Sequence, residues 1–172
     1  MNPAEWIALI SLVVSFLSAL YARHAWTSAR QAILQQTLAS LHAEYSSADM
    51  LDAVKSLWDF YRTNGPKNLV AKYENRRTAD DRQLLAKKGV NRIEFIKTTL
   101  HYKRRFVSQF YAYVLHLLRN KIISEDVFYA SWTKADLEII KQILVPLEQR
   151  VAMAFNAGEP SIMLKELYDR AK

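Results

Sequence analysis

Cysteine is absent from the 172 residues, while glycine occurs three times and proline four. Without cysteine there can be neither a disulfide framework nor a thiolate metal site, a composition suited to the cytosol. So little glycine and proline leaves few places for turns and favours long helices. Strand-like alternation closed by Asn-Gly or Asp-Gly is missing as well. The one such pair, Asn64-Gly65, runs straight into Pro66 between two helical patterns. The four histidines, His24, His42, His101 and His116, show no metal spacing such as H-E-x-x-H, and the carboxylates lack the paired spacing that holds Mg2+. No catalytic residue, metal or cofactor is expected, and no small-molecule substrate is identified. The fold class is all-α.

What the chain does have is apolar: 51% of its residues are hydrophobic. At this length there is room for one domain and an anchor. Residues 6–22 read WIALISLVVSFLSALYA, seventeen residues without a charge. At 1.5 Å per residue they extend about 25 Å, against a hydrocarbon core of roughly 30 Å. Trp6 and Tyr21 stand at the two ends as interfacial anchors, and Arg23 can snorkel outward. A signal peptide would open on Lys or Arg, but only Glu5 precedes this run. A buried core helix would show one polar face, yet only serines interrupt the segment.

The segment therefore predicts a single transmembrane helix. Positive residues begin at Arg23 and none lies before it, which places the N-terminus outside and the domain in the cytoplasm, as in a bacterial inner membrane. The expected organisation is an anchor over residues 1–22, a helical stalk over 23–45, and a basic helical bundle over 46–172. Within the span, Ser11, Ser15 and Ser18 fall with Ala8 and Ala22 on one stripe. Small residues at this spacing let helix backbones approach closely. The three serines are thus candidates for helix–helix contact in a homo-oligomer, or for the lining of a pore.

Beyond the stalk, Ser46 or Ser47 is placed to cap a helix that stops at Asn64-Gly65-Pro66. Thr78 is the expected cap of a short helix over residues 79–88. Asn91, with Glu94 three residues on, opens a long helix with an apolar stripe from Ile93 to Leu118. Ser124 caps a short helix through Phe128. Thr133 and Asp136 open another through Phe155, ended by Gly158, and Pro160 leads into a last amphipathic helix over residues 162–168.

Charge is concentrated. The net charge is +7, yet residues 62–105 alone hold 13 Lys or Arg against Glu74, Asp80, Asp81 and Glu94. The densest points are Arg76-Arg77, Lys87-Lys88 and Lys103-Arg104-Arg105, interleaved with Tyr61, Tyr73, Phe95 and Tyr102. Basic residues beside stacking aromatics suit single-stranded nucleic acid, and they suit anionic membrane lipid equally. Arg76, Arg77, Lys103, Arg104 and Arg105 are the candidate contacts to an acidic partner. Ribonucleases of the HEPN type pair Arg with His at R-x4-6-H, but no histidine here follows an Arg at that interval. The nearest echo, Arg150 to Asn156, puts Asn where the base belongs.

Three stretches carry a resemblance. They are Tyr21-Ala-Arg-His24 directly after the span; Ala48-Asp-Met-Leu-Asp-Ala-Val-Lys-Ser-Leu-Trp58; and a C-terminal run from Phe106-Val-Ser-Gln-Phe110 through Ile122-Ile-Ser-Glu-Asp126 and Trp132 to Leu144-Val-Pro-Leu-Glu148. In this order the chain resembles small bacterial membrane-anchored helical proteins, among them the membrane accessory protein of type VI-B CRISPR loci. That resemblance implies an oligomeric, pore-forming effector or accessory in antiviral defence, working beside RNA or an RNA-guided effector protein. A membrane-tethered adaptor for RNA or an acidic protein is the alternative expectation, and a cryptic ribonuclease the third.

Overall fold

The computed structural model describes residues 2–86, 91–155 and 159–171; side chains within residues 4–5, 7–10 and 152–159 lie outside that description. Every regular element among the described residues is helical. The chain divides into two compact units, Met1–His42 and Ala43–Lys172.

The first unit lies within helix α1, Pro3–Tyr45. After Pro3 it meets neither proline nor glycine, so nothing interrupts its hydrogen-bond ladder. Leu12, Val13, Val14, Phe16, Leu17, Leu20 and Tyr21 are all exposed, Leu12 at 70% and Phe16 at 63%. At 3.6 residues per turn these positions cover about 200° of the helix circumference, and Ser11, Ser15, Ser18, Ala19 and Ala22 fill the rest. The expected spanning helix is not recovered: among the described residues, none is long and apolar enough to cross a membrane. The apolar stretch whose side chains are described, residues 11–22, is closed by Arg23.

In the second unit, α2 is Ala48–Ala86, with Ser47 Oγ accepting from Met50 N at 3.3 Å as its cap. Gly65 breaks the helical path with φ 68° and ψ 163°, a region essentially reserved for glycine, and Pro66 restarts it. The expected stop is therefore a kink. Thr78 caps nothing; its hydroxyl donates to Glu74 O at 3.0 Å in mid-helix.

Asn91 does cap α3, Arg92–Thr98, its side chain accepting from Ile93 N at 3.2 Å. The long helix expected from there is two helices. Thr99 is extended, with φ −73° and ψ 145°, and its hydroxyl oxygen accepts from Tyr102 N at 3.2 Å, capping α4, Leu100–Arg119. Helix α5, Glu125–Ser131, comes next, and Ser124 precedes it without a side-chain capping bond.

Thr133 N and Oγ1 donate to Asp136 Oδ2 at 2.8 and 2.6 Å, as its spacing suggests. From there a turn and then a π-helical turn, Ile140–Leu144, lead into α6, Val145–Phe155. Pro146 has no N–H to offer Gln142 O, and Val145 N instead reaches back five residues to Ile140 O. Pro160 sits in the first turn of α7, Glu159–Asp169, where its missing N–H costs nothing. Gly158 and the Lys87-Lys88 pair lie outside the described residues.

Helix α4 lies against α2 and α7, and α6 against α7 and α2. Leu57, Leu69, Val107, Tyr111, Ile143, Leu147 and Leu167 are among the side chains buried in this core. Phe128 stacks on Trp132 at 4.9 Å, and Tyr45 closes on Phe110 at 5.6 Å.

Candidate functional site

Helix α4 supplies most of the site. His101, Arg104 and Arg105, Ser108 and Gln109, and Ala112 recur every three or four residues and so share one side of the helix. That side meets Glu148 and Val151 of α6 and Pro160 of α7 around a cleft of about 480 Å³.

A connected polar network lies beneath it. Arg104 Nε donates to the Tyr73 hydroxyl at 2.8 Å, and its Nη1 pairs with Glu148 Oε1. Ser108 Oγ donates to the same Glu148 oxygen at 2.6 Å. The Tyr73 hydroxyl also lies 2.9 Å from His101 Nδ1. Since Tyr73 accepts from Arg104, its own proton goes to His101. Nδ1 is then an acceptor, and the neutral ring keeps its proton on Nε2. Burial, and next the Arg104 and Arg77 charges, hold His101 below the usual imidazole range, in keeping with that tautomer. Burial likewise pushes the Tyr73 phenol up.

Arg104 is 3% exposed and Glu148 7%. A buried ion pair costs several kcal/mol of desolvation per ion, offset here by mutual attraction and by the Tyr73 and Ser108 bonds. At the mouth, Arg105 and Gln109 are exposed, so two guanidinium groups stand against one carboxylate around the cleft.

The basic residues singled out in the sequence separate. Arg104 is a buried structural cation rather than a surface contact. Lys103 is held by Asp52 at 2.6 Å and Ser56 at 2.9 Å. Arg76 pairs with Asp80 at 3.2 Å and Arg77 with Asp81 at 4.0 Å, each one helical turn on. Of these five candidates, Arg105 alone is both exposed and without an ion pair to the described residues. The interleaved aromatics are committed too. Tyr73 is buried in the network, Tyr61 donates to Gln142 at 2.9 Å, and Tyr102 stacks on Phe106 at 6.1 Å, leaving no free row for bases. His116 is exposed next to Asn120, one turn beyond Ala112 on the same side of α4, and is not among the residues that line the cleft.

In the first unit, Ser11, Ser15 and Ser18 are exposed and share a face of α1. Ser15 Oγ donates to Ser11 O at 2.8 Å, which satisfies that hydroxyl within its own helix. Among the described residues no cluster of His, Asp or Glu is placed to hold a metal ion.

The chain matches no family model, no curated protein and no solved structure.

Proposed function

We propose that this chain is a membrane-tethered, self-associating helical protein serving as an effector or accessory in bacterial antiviral defence. The first half of α1 lies in the lipid of the inner membrane and the basic unit faces the cytoplasm. One observation carries the reading: between Leu12 and Tyr21, α1 exposes large apolar side chains over more than half of its circumference, and the rest of that stretch carries only exposed serine and alanine, with no charge. A helix with so wide an exposed apolar arc, and no charged residue on its other side, is poorly placed in water and belongs in lipid or among copies of itself. The full uncharged run of residues 6–22, with Trp6 and Tyr21 at its ends, supports a short span in which flanking groups make up the missing length. The shared face of Ser11, Ser15 and Ser18 supports close approach between copies, because a serine satisfied by its own helix is cheap to bury there. The order of parts, similar to that of the CRISPR-associated membrane accessory protein, supports the defence role and a pore assembled from several copies.

The absence of native cysteine makes topology directly measurable. In intact spheroplasts, an impermeant maleimide is expected to label an Asn2→Cys variant and to reach a Ser46→Cys variant only after lysis. Equal labelling of both, or of neither, before lysis overturns the tethered topology.

A second reading, a tethered adaptor for RNA or an acidic protein, is favoured by Lys67, Lys72, Arg82, Arg92 and Lys97. All five are exposed and, among the described residues, form no ion pair. A steep loss of RNA binding between low and moderate salt would support it. RNA binding too weak to measure at low salt would remove it in favour of lipid.

A further inference from the structure

We infer that the cleft between α4, α6 and α7 binds a small molecule through a phosphate group, carried either by a soluble phosphomonoester or by a lipid headgroup. The inference stands on the folded unit alone and does not depend on the tether.

One side of α4 brings several donors to this cleft. His101 presents Nε2–H, because Nδ1 is occupied by Tyr73. Arg104 spends Nε on Tyr73 and Nη1 on Glu148, which leaves N–H groups beyond those two bonds. Arg105 and Gln109 add an exposed guanidinium and a carboxamide at the mouth. With Arg104 and Arg105 facing the single carboxylate of Glu148, the lining is net positive. A tetrahedral phosphate dianion, with three terminal oxygens, uses such dispersed donors better than a planar carboxylate does. Ala112, Val151 and Pro160 offer an apolar wall for the organic part. The volume, about 480 Å³, falls in the usual range for small-molecule sites.

The network argues for use as well as fit. A buried Arg–Glu pair stabilises a core no better than apolar side chains of the same volume. Here the pair is joined to a neutral histidine and a tyrosine and set at the floor of an open cleft, the arrangement expected where a charged ligand is handled.

The full chain in detergent should bind glycerol 3-phosphate, or short-chain phosphatidic acid, by calorimetry. Arg105→Ala, an exposed change that leaves the buried network intact, is expected to weaken binding about ten-fold or more. Arg92→Ala removes an equally exposed cation on α3, outside the cleft lining, and is expected to leave affinity unchanged. Binding of the glycerol ester identifies a soluble ligand, and binding of phosphatidic acid alone identifies a lipid headgroup; either, with the Arg105 dependence, supports the site. No binding of either probe at millimolar concentration overturns it, as does equal weakening by Arg92→Ala and Arg105→Ala, which reduces the effect to general surface charge.

Discussion

The Tyr73 hydroxyl and the His101 ring meet at 2.9 Å, with Arg104 Nε bound to the other side of the same oxygen at 2.8 Å. A protonated His101 would turn an acceptor into a donor at Tyr73 and add a cation beside Arg104. Folding therefore favours the neutral ring. Because its folded pKa lies below the unfolded value of about 6.5, the unfolded chain binds the extra proton first as pH drops. This contribution is fully present above pH 6.5 or so and is lost as pH falls from there toward the folded pKa. Thermal unfolding followed from pH 8 to pH 5 should show that loss. His101→Gln, which keeps an acceptor for Tyr73, should flatten it.

Arg104 and Glu148 should behave as a pair. Arg104→Ala leaves a buried carboxylate uncompensated and is expected to cost about 3–5 kcal/mol in chemical denaturation. Arg104→Met combined with Glu148→Leu should recover most of that loss. Ser108→Ala removes one bond to the carboxylate and should cost about 1 kcal/mol.

Two threonines separate a cap from a bystander. Thr99→Ala deletes the side-chain acceptor for Tyr102 N and is expected to destabilise by about 1 kcal/mol. Thr78→Ala, in mid-helix on α2, should be neutral or slightly stabilising, since alanine has the higher helix propensity.

Gly65 meets no atom that a Cβ would strike, so any cost of substitution lies in the backbone. With φ at 68° and ψ at 163°, Gly65→Ala should lose about 1–3 kcal/mol from strain alone. Full stability in this variant would mean that the kink can relax into continuous helix.

Much of this architecture was legible in the residues. Scarce glycine and proline gave the all-helical class, and Ser47, Asn91, Gly65 and Pro160 mark real boundaries or bends. The boundary at Thr99 was hidden because the apolar positions on its two sides continue without a gap, and a helix pattern does not reveal a single extended residue. The candidate site was missed for another reason. Counting charge along residues 62–105 treats every cation as exposed, whereas Arg104 repeats at the spacing of Val107, Tyr111, Val114 and Leu118 and so falls on the buried face. The signal was present in His101, Arg105, Ser108, Gln109 and Ala112, a second stripe beside the apolar one. Its partners, Tyr73 and Glu148, lie too far away in sequence to be matched to it without the fold.

The tether itself is tested most directly by vesicle flotation after an alkaline carbonate wash. An inserted α1 keeps the unmodified chain with the lipid. Changing Leu12, Leu17 and Leu20 together to Asp, at about 2.5–3.5 kcal/mol each for a mid-membrane position, should release it with its helical circular dichroism intact. Recovery of the unmodified chain in the carbonate supernatant would contradict the membrane anchor.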